Sequence, residues 1–153
     1  MQSVIREELK KYGMVVTRTE GDSMQPLLKH HRDAVVIEAV PQGERLRKYD
    51  VALFKRESDN RYTFHRVLKV RKSDYVICGD NRWRREYGIT DAQILGRLKE
   101  MNRKGKTVRT DNQWYRLYVH FWCDLFYIRA GILFVLDLPR LIRRRITKAG
   151  EGK

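Results

Sequence analysis

The stretch from Tyr62 to Asp80, YTFHRVLKVRKSDYVICGD, has the clearest strand pattern in the chain. Tyr62 and Phe64 alternate with Thr63 and His65, and the apolar Val67 and Val70 follow; Tyr75–Cys78 is a short apolar run that ends at Gly79. Alternation with a period of two indicates a half-buried strand, and a short apolar run before a turn residue indicates a buried strand. The stretch therefore predicts two consecutive strands joined by a turn.

Short strand patterns also occur on both sides of this stretch. They are predicted at Met14–Arg18, Ala34–Val40, Asp50–Phe54, Ile94–Met101 and Thr107–Arg109. The segment 102–106, NRKGK, is a hairpin signal, and Ser3 is placed to cap a helix that runs to about Tyr12 and ends at Gly13. Many short strands at this spacing predict a mainly β fold, a small antiparallel barrel-like domain with a short N-terminal helix.

The last forty residues differ in composition from the rest of the chain. Aromatic and aliphatic residues recur at helical spacing over 114–138, and an arginine-rich segment follows Pro139. We expect Pro139 to break or restart the helix. The sequence therefore predicts two parts, a β domain over residues 1–111 and a basic, aromatic, amphipathic helical tail over residues 112–153.

Charge is high and unevenly distributed along the 153 residues. The chain has 33 Lys and Arg against 19 Asp and Glu, a net charge of +14, and from Arg97 onward 14 basic residues face only 5 acidic ones. Such a balance favours polyanionic partners, either nucleic acid or an anionic membrane; the alternative is a basic surface that is simply solvated.

The cysteines and histidines give no sign of a metal site. Cys78 and Cys123 fit neither a paired metal pattern nor a disulfide framework, which is typical of a reducing compartment. Three histidines have no ligand-type pattern around them, namely His30, His31 and His120. We therefore expect no metal and no cofactor. The predicted N-terminal helix is too charged for a secretory signal or a membrane anchor.

A serine, a histidine and an aspartate lie beside predicted strands and turns in the first half of the chain. Ser23 is in the turn GDSMQP at 21–26, His65 is in the first strand described above, and Asp80 follows the second. These are the residue types of nucleophilic acyl transfer: a hydroxyl nucleophile, an imidazole base and a carboxylate that orients the base. The turn also places the backbone of Asp22 and Ser23 where N–H groups can stabilise an oxyanion.

Several segments, in order, resemble the sequence boxes of the signal peptidase I and SOS-repressor-like serine peptidases. They are GDSMQPLL at 21–28, the strand starts RDAVVI at 32–37 and YDVALF at 49–54, YTFHRV at 62–67, GDN at 79–81 and ILGRL at 94–98. The resemblance covers about residues 9 to 99. Most bacterial members use a Ser-Lys dyad, whereas a histidine at position 65 resembles the archaeal, endoplasmic-reticulum and spore-former signal peptidases.

The resemblance implies a role for each matched residue. Ser23 is the nucleophile, His65 the general base and later acid, and Asp80 the carboxylate that orients His65, while Met24 and Pro26 contact the substrate. It further implies a serine endopeptidase that cleaves a signal, leader or propeptide segment, which is held in extended form by strand addition at a sheet edge.

The sequence also departs from that family. Gly21 replaces a serine found two residues before the nucleophile, Arg32 and Tyr49 replace glycines, and we expect no N-terminal membrane anchor. A second aspartate expected shortly after Asp80 is absent from the basic segment NRWRRE. The missing hydroxyl at position 21 and the missing second aspartate favour an alternative, a non-catalytic peptide- or membrane-binding module of the same fold. A third hypothesis is a basic nucleic-acid-binding protein, although no recognition motif is present.

The apolar part of the tail leaves two arrangements open. Residues 117–138 would reach about 33 Å as a helix, but Asp124, Arg129 and Asp137 make a membrane span marginal. The helix either lies on an anionic membrane surface or packs onto the β domain. We therefore expect a cytoplasmic or membrane-peripheral protein, with anchoring through the C-terminal helix as the alternative. The oligomeric state is not predicted.

Overall fold

The computed structural model describes residues 2–150, with side chains described for residues 4–139. Within that part of the chain, eight strands form one sheet and three α-helices flank it. The strands are β1 (Met14–Arg18), β2 (Ala34–Glu38), β3 (Val51–Lys55), β4 (Tyr62–Val70), β5 (Tyr75–Cys78), β6 (Glu86–Ile89), β7 (Ile94–Arg103) and β8 (Lys106–Arg109). The helices are α1 (Gln2–Tyr12), α2 (Gln113–Asp124) and α3 (Phe126–Gly150).

All strand pairs are antiparallel, which confirms the predicted mainly antiparallel β fold with an N-terminal helix and a helical C-terminal part. The order across the sheet is β1-β2-β7-β3-β4-β5-β6, and β8 pairs with β7. The sheet is not closed into a barrel, because β1 and β6 do not pair with each other. Register shifts in β2, β3 and β4 bend the sheet instead.

Two apolar clusters form the core. The larger one contains sheet residues such as Val35 and Leu53 together with Leu9 of α1 and Val119 of α2. The smaller one is built around Phe54, with other members from β4, β5 and β6. β3 contributes to both clusters, which explains why its first four residues are all buried. Because α2 shares the larger cluster, this helix packs against the β domain.

The helical tail bends earlier than the sequence predicts. The expected break at Pro139 is wrong, because α3 continues through that residue to Gly150. The chain instead turns at Leu125, where α2 and the segment Phe126–Pro139 meet at 69°. Pro139 removes one backbone hydrogen bond within α3, yet the helical backbone continues on both sides of it. No single described helix is long and apolar enough to cross a membrane; by length and composition alone, the bent pair taken together qualifies.

Candidate active site

The turn that carries Ser23 is anchored by the apolar residues that follow it. Met24 is only 4% exposed and lies in the larger core cluster with Leu27 and Leu28, while Ser23 itself is half-buried. Gly21 has a φ of +80°, in the left-handed region that favours glycine. The backbone conformation of this turn therefore explains why glycine, rather than the expected serine, is present at position 21.

The loop after β5 fastens this turn from the other side. The Asn81 backbone N–H donates to the Ser23 carbonyl oxygen at 2.7 Å, and its side-chain amide donates to the Asp22 carbonyl oxygen at 3.2 Å. Arg82 donates to the Asp22 carboxylate at 2.5 Å. The Gly-Asp-Asn segment thus fixes the position of the serine turn relative to the sheet.

Gly79 lies where the Ser23 turn and His65 approach each other. A methyl group on Gly79 would be 2.7 Å from the Ser23 carbonyl oxygen and 3.0 Å from His65 Nε2. The Ser23 carbonyl oxygen and His65 Nε2 are therefore at most about 5.7 Å apart, which is the sum of these two distances. Only glycine fits at this point, and its absent side chain lets the Ser23 backbone and the His65 ring approach each other.

His65 is 5% exposed and has a carboxylate at one ring nitrogen. Its Nδ1 contacts Glu86 Oε1, and the other oxygen of Glu86 accepts a hydrogen bond from Arg56 Nε at 2.8 Å. Partial burial alone would raise the Glu86 pKa, but the hydrogen bonds from His65 and Arg56 outweigh burial and hold the pKa at about 2. Glu86 is therefore ionised at neutral pH.

An ionised carboxylate only accepts hydrogen bonds, so Nδ1 of His65 must carry the proton that it shares with Glu86. In a neutral imidazole the lone pair is then on Nε2, the nitrogen beside Gly79 and the Ser23 turn. This is the tautomer that a general base requires. No hydrogen bond joins Ser23 Oγ to His65 within the described part of the chain.

Asp80 has a different partner, which corrects the prediction that it orients His65. Its two carboxylate oxygens accept hydrogen bonds from Arg66 at 2.8 and 2.7 Å. The side chains of this pair are 0% and 1% exposed, and Tyr115 also accepts a hydrogen bond from Arg66 at 3.1 Å. Burial would lower the Arg66 pKa, but the Asp80 charge outweighs burial and raises it. Asp80 is thus half of a buried ion pair beneath the site.

The C-terminal helices hold the loop that joins Asp80 to Glu86. Trp122 Nε1 and Arg129 Nη1 both donate to the Asp80 carbonyl oxygen, at 3.0 and 2.9 Å. Further along the loop, Trp83 packs edge-on against Phe134 of α3 with ring centroids 5.1 Å apart. Both helices of the predicted tail therefore help to form the candidate site.

The remaining predicted site residues lie around the serine turn. Pro26 is exposed at the surface, and its carbonyl oxygen accepts a hydrogen bond from Arg103 at 3.1 Å. Met24, predicted to contact substrate, is instead packed in the core. The Ser23 N–H donates to no described backbone carbonyl, so it remains a candidate oxyanion donor together with the backbone of Asp22.

Sequence reasoning missed Glu86 because β6 has little strand signal. Its four residues, EYGI, follow a strongly basic run, and β6 pairs with β5 alone. The available signal was the position of the residue, since a second carboxylate was expected shortly after Asp80. Glu86 supplies that carboxylate with a side chain longer than the expected aspartate.

Comparison with protein-family models finds no match for this chain, and comparison with curated proteins finds no significant one. We therefore infer function from the residues of this chain and their geometry.

Proposed function

We propose that this protein is a serine endopeptidase in which Ser23 is the nucleophile, His65 the general base and Glu86 the carboxylate that orients the base. The arrangement of His65 carries the proposal. One ring nitrogen contacts an ionised carboxylate, and the other lies beside Gly79 and the Ser23 turn. A histidine polarised in this way next to a serine is the arrangement of acyl-transfer catalysis.

The chemistry follows from these positions. His65 Nε2 takes the Ser23 hydroxyl proton as the oxygen attacks the scissile carbonyl, and the Ser23 N–H stabilises the oxyanion that forms. The imidazolium, stabilised by Glu86, then returns the proton to the leaving amine, and water hydrolyses the acyl-enzyme. Catalytic hydrogen bonds are often long in ligand-free enzymes, so the proposal requires Ser23 Oγ to reach Nε2 when peptide binds.

The substrate is proposed to be an extended signal, leader or propeptide segment. β1 is an edge strand of the sheet, and the chain leads from it into the Ser23 turn. An extended peptide that pairs with this edge would be held by backbone hydrogen bonds and carried toward the serine. Strand addition would use exposed side chains such as Val16 for contact.

The test is cleavage of a peptide library by the purified chain, with products identified by mass spectrometry. We expect the wild type to produce new termini and Ser23→Ala to produce none above background. Ser58→Ala is the matched control, because Ser58 is an exposed serine in the turn between β3 and β4. Cleavage by Ser23→Ala at the wild-type rate would rule out this mechanism.

The alternative, a non-catalytic peptide-binding module, is favoured by one observation. Ser23 Oγ and His65 are not hydrogen-bonded to each other in the described part of the chain. The two functions separate in the same experiment, since a binding module retains peptide without producing new termini. For either function we propose a cytoplasmic or membrane-peripheral location.

A further inference from the structure

The outward face of α3 is apolar, which is the reverse of an ordinary surface helix. Tyr127, Ile128, Ile132, Val135 and Leu136 are each more than half exposed, and their spacing places them on one side of the helix. The side toward the sheet contains the buried Phe126 and Arg129. A surface helix normally turns its charged side chains to water and its apolar ones to the core.

α2 also has exposed apolar residues. Trp114, Leu117 and Phe121 are also more than half exposed, and they form a stripe opposite the residues that α2 contributes to the core. Monomeric soluble proteins rarely expose apolar patches of this extent unless the patch contacts a partner. We call this surface the apolar face, made of Trp114, Leu117, Phe121, Tyr127, Ile128, Ile132, Val135 and Leu136.

A cationic cleft of about 470 Å³ adjoins the apolar face. It lies between β4, β5 and β6 and the junction of α2 with α3, and four cationic side chains line it: Lys48, Lys69, Arg71 and Arg85. Asp124 is the only carboxylate in its lining, and Tyr127 belongs to both the cleft and the apolar face. Within the described part of the chain, Lys69 and Arg85 have no carboxylate at ion-pair distance.

We propose that the apolar face and the cationic cleft together bind the interface of a membrane that contains anionic phospholipid. The headgroup phosphate would enter the cleft, and the apolar face would lie at the boundary with the acyl chains. Aromatic residues such as Trp114 and Tyr127 suit this depth, because each has an apolar ring with a polar end. Beyond Pro139 the α3 sequence adds further cations, namely Arg140, Arg143, Arg144, Arg145 and Lys148.

Charge and apolarity together favour lipid over other occupants. A second copy of the chain would bring another net charge of +14 against the same cationic cleft. Nucleic acid would satisfy the cations but would leave the aliphatic residues of the apolar face in water. An anionic bilayer satisfies both features at once.

Vesicle flotation with the purified full chain tests the proposal. Vesicles of phosphatidylcholine alone are compared with vesicles of phosphatidylcholine and phosphatidylglycerol in equal parts. We expect binding to the mixed vesicles that weakens as salt is raised. Ile132→Glu should weaken it at least tenfold, while Val4→Glu, at an exposed apolar position on α1, should not.

The cleft has its own pair of variants. Lys69→Ala should weaken binding to the mixed vesicles by about fivefold at low ionic strength, since one cation near an anionic surface contributes about that factor. Lys106→Ala, which removes an exposed lysine from β8, should leave binding unchanged. Equal binding by Lys69→Ala and the wild type would show that the cleft takes no headgroup and would overturn that part of the proposal.

Three further results would overturn the whole proposal. They are the absence of wild-type binding to mixed vesicles, unchanged binding by Ile132→Glu, and a stable lipid-free dimer in sedimentation that Ile132→Glu dissociates, which would make a second copy the occupant. Ser23→Ala should bind vesicles like the wild type. Failure of the peptidase proposal therefore leaves this one standing, and the reverse also holds.

Discussion

Glu86 and Asp80 lie at the two ends of one loop and have different partners. Glu86 contacts His65 at the candidate site, whereas Asp80 is buried against Arg66 and the tyrosines of α2. A carboxylate at the imidazole affects chemistry, while a buried ion pair mainly affects folding. The two residues should therefore give different mutant phenotypes.

Asp80→Asn should destabilise the protein strongly. Removing one partner of a buried ion pair leaves the other charge uncompensated, which costs about 3–5 kcal/mol in the free energy of unfolding. Urea denaturation measures this loss. Asp111→Asn, in an exposed ion pair with Arg109, is the matched control and should leave the midpoint nearly unchanged. A similar midpoint for both variants would contradict the structural role of Asp80.

Glu86 should make stability depend on pH. Its pKa is about 2 in the folded protein against 4.5 in the reference state. The stabilisation is therefore fully present above pH 4.5 and is lost as pH falls toward 2. The shift corresponds to at most about 3 kcal/mol, less whatever solvent screens at this partly exposed side chain.

Urea denaturation of the wild type and Glu86→Gln checks this dependence. The wild type should be more stable at pH 7, and the difference should shrink to about half or less at pH 3. A difference that stays constant between these pH values would show that the Glu86 charge contributes nothing to folding.

Helices and strands differ in how well the local sequence predicts their bounds. β4 and β5 have strong local patterns, and the structure gives them the predicted bounds. β6 has none, because a short edge strand depends on its neighbour rather than on its own apolar residues. The bend at Leu125 could not be predicted either, since it depends on how α2 and α3 dock. Pro139 locally predicted a helix break, but α3 continues through it.

At the turn that contains Tyr49, too, packing outweighs the local preference of the sequence. Tyr49 replaces a glycine expected before Asp50, yet it keeps a left-handed φ of +80°. Its hydroxyl donates to Asp124 at the end of α2 at 2.5 Å, and its backbone N–H donates to Val67 at 2.8 Å. These contacts hold a conformation that a tyrosine seldom adopts, and they tie this turn to the helical part of the chain.

α3 should influence catalysis through Arg129. This side chain is 8% exposed and donates to the Asp80 carbonyl, but its Nε and Nη2 atoms have no hydrogen-bond partner among the described residues. Arg129→Met should lower the cleavage rate by about tenfold to a hundredfold, because the loop to Glu86 loses one of its supports. Stability should fall little or even rise, since two unsatisfied buried donors are removed.

Cleavage assays and thermal unfolding separate the two effects of this change. Arg116→Met, at an exposed position on α2, is the control and should match the wild type in both. The contrary result is an Arg129→Met protein that unfolds more readily while each folded molecule cleaves at the wild-type rate. That result would show that α3 contributes to stability and not to catalysis.

Across the whole molecule, the fold gathers three segments that are far apart in the chain. The Ser23 turn and His65 of β4 approach each other at Gly79, and Glu86 of β6 contacts His65 from its other ring nitrogen, although other strands separate β4 and β6 from the turn in sequence. Ser23 and His65 could be proposed from their flanking residues and the family resemblance. The choice between Asp80 and Glu86 could not, because both carboxylates follow β5 and only the packing of Arg66 decides which one reaches His65.

The role of Glu86 can be tested with Glu86→Gln, by comparing its cleavage rate with that of the wild type on a peptide found in the library screen. A glutamine at this position presents an amide to Nδ1 and favours the wrong tautomer of His65. We predict that kcat falls by about 10³ to 10⁴ at pH 7 while the protein stays folded. A Glu86→Gln rate within tenfold of the wild type would contradict the assignment of His65 and Glu86 as the catalytic base and its orienting carboxylate.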